Sequence, residues 1–185
     1  VNEAPTVGDQ GFSVNENASL GSVVGLVAAS DPDAGDVLSY AITAGNEGGL
    51  FAIDAGTGQV TVQGALDFEG LNTFGLAVSV TDGGLLSDSA TVSIGLTDVN
   101  EAPTVGDQGF SVNENAAPGT VVGTVAASDP DAGDVLSYAI TAGNVGTAFA
   151  IGAGGVITVQ SALDFEGLNP YALTVQVIDS GLLSD

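Results

Sequence analysis

The first 46 residues of this 185-residue chain return almost unchanged as residues 99–144, with 42 of 46 positions identical. Val1-Asn2-Glu3-Ala4-Pro5-Thr6 reappears as Val99-Asn100-Glu101-Ala102-Pro103-Thr104, and a one-residue deletion near Gly154 then sets Leu66-Asp67-Phe68-Glu69 opposite Leu163-Asp164-Phe165-Glu166. A unit of about 98 residues is too long for a solenoid repeat and suits an independent domain with its own core. Two beads are therefore expected, residues 1–98 and 99–185. Within each, apolar residues alternate with small ones: Leu38, Tyr40 and Ile42; Phe74, Leu76, Val78 and Val80; Ala90, Val92, Ile94 and Leu96. That period of two is the signature of half-buried strands. With Phe12–Val14, Val23–Ala28, Phe51–Ile53 and Val60–Val62 added, each bead reads as an all-β, seven-stranded Greek-key sandwich. Tyr40, Phe74 and Tyr138 fall on the inward register and are expected in the cores.

Composition removes most chemistries. The chain has 23 carboxylates, no Lys, Arg, His or Cys, and a formal charge of -23. Without basic side chains it repels nucleic acid and anionic membrane surfaces. Without His or Cys it has no imidazole base, thiolate, zinc site or disulfide. Oxygen ligands remain, and these are hard donors suited to calcium or magnesium. The longest apolar runs are too short to span a bilayer.

The acids could form a solvated coat for concentrated salt, in which case they would be scattered over outward strand positions. Instead they collect at expected loops and strand ends: Glu16, Asp31, Asp33, Asp67, Glu69, Asp82 and Asp98. Like charges a few ångströms apart repel by roughly 1 kcal/mol even in water, and no cation of the chain can offset this. A bound metal ion can.

Asn15-Glu16-Asn17, Asp31-Pro32-Asp33, Leu66-Asp67-Phe68-Glu69, Val80-Thr81-Asp82-Gly83 and Asp98-Val99-Asn100-Glu101-Ala102-Pro103, in this order and spacing, resemble the calcium motifs of cadherin repeats across nearly the whole chain. The resemblance, with a composition of bacterial character, implies tandem cadherin-like domains joined by shared calcium. Glu16, Asp67 and Glu69 of the first bead would share ions with the linker and with Asp129, Asp131 and Asp179 of the second. Glu101 would ligate by its carboxylate, Asn100 by its amide oxygen, Val99 and Ala102 by their carbonyls, and Asn144 by its backbone carbonyl. Asp31, Asp33, Asn46 and Asp82 form one half-site, and Glu114, Asp164 and Glu166 another. The family's linker usually runs Asn-Asp-Asn to a further residue and proline. Here Asn100-Glu101-Ala102 precedes Pro103 directly, so two or three ions are expected at the junction.

Smaller features take plainer readings. Asp36 and Asp134 lie in Asp-Pro-Asp-Ala-Gly-Asp; proline at the second position and no Glu at position 12 argue against an EF-hand, so solvated turn carboxylates are expected. Asn17-Ala18-Ser19 is a glycosylation sequon that its twin Asn115-Ala116-Ala117 does not share. Asp185 aligns with Asp88, so the second bead is expected to lack the counterpart of its last strand, Ser89–Leu96. A window from a longer array is the simpler reading; a strand donated by another copy is the sharper one.

The function these readings imply is a calcium-rigidified extracellular tandem module, used as stalk, adhesin or surface-filament building block, with neighbouring repeats as partners. The alternative is a calcium-dependent carbohydrate-binding accessory module contacting polysaccharide. Catalysis by Asp67 and Glu69 as a glycosidase pair is disfavoured by the scarcity of aromatics. Adhesion by a tryptophan-anchored strand is unsupported, since the chain has no Trp.

Overall fold

The computed structural model describes residues 1–167 and 170–185 and separates into two compact units, Val1–Val99 and Asn100–Asp185. In the first, β1 (Thr6–Val7), β2 (Gln10–Asn15), β3 (Val23–Leu26), β4 (Ala29–Ser30), β5 (Ser39–Ala44), β6 (Phe51–Ile53), β7 (Gln59–Val62), β8 (Thr73–Thr81) and β9 (Ser87–Thr97) follow in chain order. They assemble into a four-stranded sheet, β2-β9-β8-β5, and a three-stranded sheet, β3-β7-β6, with β1 paired to β4. The pairing is antiparallel except for β2 and β9, which run parallel, Phe12 opposite Ile94. The inward residues of both sheets meet in one core. Val60, Val62, Leu76, Val78, Val80, Val92 and Ile94 are all fully buried. Phe51 of one sheet meets Phe74 of the other edge-to-face at 5.1 Å, a geometry the ring quadrupoles favour.

The turn between β6 and β7 is built by one carboxylate. Asp54 Oδ1 accepts from the Gly56 and Thr57 N–H groups and from the Thr57 hydroxyl. Gly58 then takes φ +73°, where a Cβ would stand 2.9 Å from the Tyr40 ring. The Thr57 hydroxyl and backbone bonds hold the Asp54 carboxyl below its ordinary value. A depressed folded-state pKa gives stability that is present above the unfolded value and lost as pH falls through the folded one. Acid titration of Asp54→Asn beside the parent, followed by circular dichroism, should therefore show the parent losing stability relative to the variant only below pH ~3.8.

The second unit contains β10 (Thr104–Val105), β11 (Val121–Thr124), β12 (Ala127–Ser128), β13 (Ser137–Ala142), β14 (Phe149–Ile151), β15 (Val156–Val159) and β16 (Thr174–Ile178). Its three-stranded sheet β11-β15-β14 repeats that of the first unit, but β13 and β16 pair alone. Among the described residues no strand flanks the other edge of β16, and the stretch 108–113, identical in sequence to β2, is not a strand. The core shrinks accordingly to Val125, Ala148, Phe149, Ile157 and Val159, with Val177 also buried. Tyr40 and Tyr138 pack half-buried against their cores, and Phe74 is buried. No helix among the described residues is long and apolar enough to cross a membrane.

Candidate metal centres

Among the described residues, three carboxylate groups gather at the ends of the sandwiches. In the first unit, Glu16, Glu69 and Asp98 bring oxygens within 4.8 Å of one another. Glu16 leaves the end of β2 and is buried, with Oε2 accepting from Phe68 N–H at 2.7 Å and Oε1 from Val99 N–H at 2.8 Å. One side chain thus ties the Asp67–Glu69 turn to the chain following β9. A second group in this unit joins Asp31, Asp36 and Asp82. Asp82 is buried, accepting from Asn2 Nδ2 at 2.8 Å and Leu86 N–H at 2.8 Å. Asp33 accepts from Glu3 N–H at 2.6 Å.

The second unit gathers Asp129, Asp131 and Asp134, so that Asp131, the counterpart of Asp33, stands in the group where the first unit has Asp82. Asp179 is buried, accepting from Asn100 Nδ2 at 2.9 Å and Leu183 N–H at 2.7 Å, while Asp131 accepts from Glu101 N–H at 2.7 Å. The linker is therefore held by Asp131, a member of that acidic group, and by Asp179.

These groups fit a hard divalent cation. Oxygens sharing one calcium lie 2.3–2.6 Å from it and hence at most about 5 Å apart, as each group does. At that separation two carboxylates repel by about 1 kcal/mol in water and about 3–4 kcal/mol at an effective dielectric of 20. Asp31 Oδ2, Asp129 Oδ2 and Asp134 Oδ2 are buried without a hydrogen-bond partner among the described residues. A buried anionic oxygen with no donor is costly, and a cation relieves it.

Several expectations change. Asp36 is exposed, as expected of a solvated turn carboxylate, whereas Asp134 is half-buried at the matching Asp-Pro-Asp turn; each also lies close to other acids, Asp36 to Asp31 and Asp82 and Asp134 to Asp129 and Asp131. Asp31 Oδ1 accepts from Asp33 N–H and Asp129 Oδ1 from Asp131 N–H, closing that turn. Partial desolvation, then the charges of Asp31, Asp33 and Asp82, raise the Asp36 carboxyl above its ordinary value. Asp98 joins Glu16 and Glu69, a place that its position in Asp98-Val99-Asn100-Glu101 could have signalled. Asp67 is exposed and caps its own turn through Gly70 N–H, as Asp164 does through Gly167 N–H. Asn46 and Asn144 bracket the backbones of Phe51 and Phe149 with their amides, and their carbonyls accept from Gly49 and Thr147. Among the described residues Glu114, Asp164 and Glu166 are not gathered into a group. Glu114 is exposed and accepts from Phe165 N–H at 3.2 Å. Ala102 is exposed as well.

Comparison with known proteins agrees with this geometry. The cadherin domain family model matches residues 10–97 and 108–184. Human Protocadherin Fat 1 is 37% identical over 194 aligned residues, covering 98% of this chain and 4% of its own length. Mouse Protocadherin Fat 4 is 38% identical, covering 90% of this chain and 4% of its own. The chain thus spans a small fraction of these relatives. Among solved structures, mouse Cadherin-23 EC22-24 superposes with a TM-score of 0.73 at 29% identity, over 99% of this chain and 61% of that one. The extracellular cadherin domains 3-6 of Protocadherin Gamma B2 give 0.65 at 28%, over 98% and 50%. Cadherin domains bind calcium in general, through acidic groups of this kind. With two matched domains, all-β sandwich architecture and carboxylate groups at the sandwich ends, this chain belongs to the cadherin domain family.

Proposed function

We propose that the chain is a pair of extracellular cadherin repeats stiffened by calcium, serving as stalk, adhesin or surface-filament material. Cadherin domains are adhesion modules rather than enzymes, and solved relatives are described as extracellular cadherin domains. The observation that carries the reading is covalent. Asp98 belongs to the acidic group of the first unit, and three residues later Glu101 N–H is bound by Asp131 of the second. Asp98 and Glu101 are three residues apart in the sequence, so one short linker carries members of both acidic sets. Glu16, Glu69, Asp98 and Glu101, with the Val99 and Ala102 carbonyls and with Asp129, Asp131 and Asp179, would then share two or three ions. Calcium would supply the positive charge that this chain lacks; the residues themselves set the spacing and exclude other charge.

Extracellular sites of this ligand type bind with dissociation constants of about 0.1–1 mM. Small-angle scattering in calcium should give a longer maximum dimension and a narrower distribution of shapes than in chelator, with magnesium giving little of the change. Superimposable calcium and chelator profiles would end this reading.

A further inference from the structure

Over residues 1–46 and 99–144 the two repeats differ at four positions, Ser19/Ala117, Leu20/Pro118, Ser22/Thr120 and Leu26/Thr124, all within one stretch of eight residues. The first of these differences makes Asn17-Ala18-Ser19 the single Asn-x-Ser/Thr triplet of the sequence. It lies in the first unit between β2 and β3, on two consecutive tight turns. Ala18 N–H donates to the Asn15 carbonyl and Ser22 N–H to the Ser19 carbonyl, each at 3.0 Å. Asn17 is third in the first turn and Ser19 opens the second; both are exposed, and neither side chain makes a hydrogen bond among the described residues. A serine at such a place is ordinarily explained by its hydroxyl closing the turn on nearby backbone. The second unit tests that explanation. Ala116 N–H donates to the Asn113 carbonyl and Thr120 N–H to the Ala117 carbonyl, again at 3.0 Å, with no hydroxyl at position 117. Gly21 and Gly119 keep the same left-handed backbone, at φ +82° and +88°. The Ser19 hydroxyl is therefore surplus to the fold.

We infer that Asn17 is an acceptor for an N-linked glycan. The chemistry needs an amide nitrogen, a hydroxyl two residues on, no proline between them, and room at the surface for a bulky polar group. Asn17, Ser19, Ala18 and the exposed turn meet these needs in that order. The donor class is an oligosaccharide carried on a polyprenyl pyrophosphate, as the secretory membrane of a eukaryotic cell supplies. Asn17 Nδ2 forms a bond to the anomeric carbon of the first sugar while the bond from that carbon to the pyrophosphate oxygen breaks. The lipid pyrophosphate leaves with that electron pair, and the nitrogen gives up one proton to the transferase. No side-chain hydrogen bond of the fold is lost, since Asn17 makes none among the described residues. Glu16, the preceding residue, is buried with its carboxylate engaged at the Phe68 and Val99 N–H groups, so sugar on exposed Asn17 leaves that acidic group in place. Asn115 has the same turn without the hydroxyl and takes no glycan. The modification requires export from the cell but no bound calcium.

Secretion of the full 185-residue chain from cultured human cells, behind a cleavable signal peptide, tests this. The secreted chain should carry one glycan, seen as a loss of mass and a faster gel band after peptide-N-glycosidase treatment, with position 17 converted to aspartate in the released peptide. Ser19→Ala gives the first unit the residue that the second already carries, so it should fold. It should abolish the mass shift and melt at the same midpoint as the enzymatically deglycosylated parent, whereas Ser19→Thr should keep the glycan. Mass does not depend on whether calcium or chelator is present, so this outcome stands apart from that of the calcium reading. An unmodified mass for most secreted parent chains, a glycan that survives in Ser19→Ala, or a midpoint several degrees lower in Ser19→Ala would each overturn the proposal.

Discussion

Saturating calcium should raise the thermal midpoint of the first unit by about 10–20 °C, and Glu16→Ala should remove most of that rise. A site with a dissociation constant near 0.1 mM, held at about a hundred times that concentration, stabilises the native state by about 2.7 kcal/mol. A domain of this size gains roughly 4–8 °C per kcal/mol. Glu16 contributes a buried carboxylate to the group with Glu69 and Asp98, so its loss removes both a ligand and the charge that attracts the ion. In chelator the balance differs. Glu16→Ala strands the Phe68 and Val99 N–H groups, at about 1–3 kcal/mol each where water is excluded. It also relieves repulsion from two neighbouring carboxylates, of about 1–3 kcal/mol each. These offset, so the chelator midpoint should move by only a few degrees while the calcium increment collapses. Glu16→Gln keeps one acceptor oxygen and should lie nearer the parent in chelator, yet fail equally in calcium. Paired calorimetric melts in chelator and in 10 mM calcium, with magnesium as control, read the two effects separately. An unchanged calcium increment in Glu16→Ala would remove this residue from the site.

The strands and the acid-rich loops were legible because both depend on short-range pattern. Alternation at Phe74–Val80 and Ala90–Leu96 dictates which residues face inward, and those residues are buried. Glu16, Glu69, Asp31, Asp82, Asp129 and Asp131 were readable from motif order, and each belongs to an acidic group. What escaped depends on how a turn closes. Asp36 is exposed, as its place in a turn suggests, but spacing alone does not reveal that the turn brings it to Asp31, or Asp134 to Asp129. Asp67, two residues before Glu69, stands outside the group of Glu16, Glu69 and Asp98, and its Oδ1 caps its own turn at Gly70 N–H, a detail of turn closure that spacing does not carry. The stretch 108–113 is the clearest limit. No property of Gln-Gly-Phe-Ser-Val-Asn distinguishes it from β2, and only the neighbouring ladder decides whether it becomes a strand.

That dependence on a neighbour makes the same substitution unequal in the two repeats. Leu76→Ala should destabilise the first unit by about 3–4 kcal/mol, whereas Leu173→Ala at the matching position should cost the second about 1 kcal/mol. Leu76 is fully buried beneath β9, opposite Val92 in the ladder. Truncating it leaves a cavity in packed surroundings, for which Leu→Ala costs about 2–5 kcal/mol. Leu173 is half-buried on the wall of an open groove, so its removal widens space that already exists and forfeits only partial burial, at about 25 cal/mol per Å². With a denaturant dependence near ~1.5 kcal/mol per molar urea, the first unit's midpoint should fall by about 2 M and the second's by about 0.7 M. Equal shifts would show that packing at this position is set within β8 and β16 themselves and owes nothing to the strand beside them.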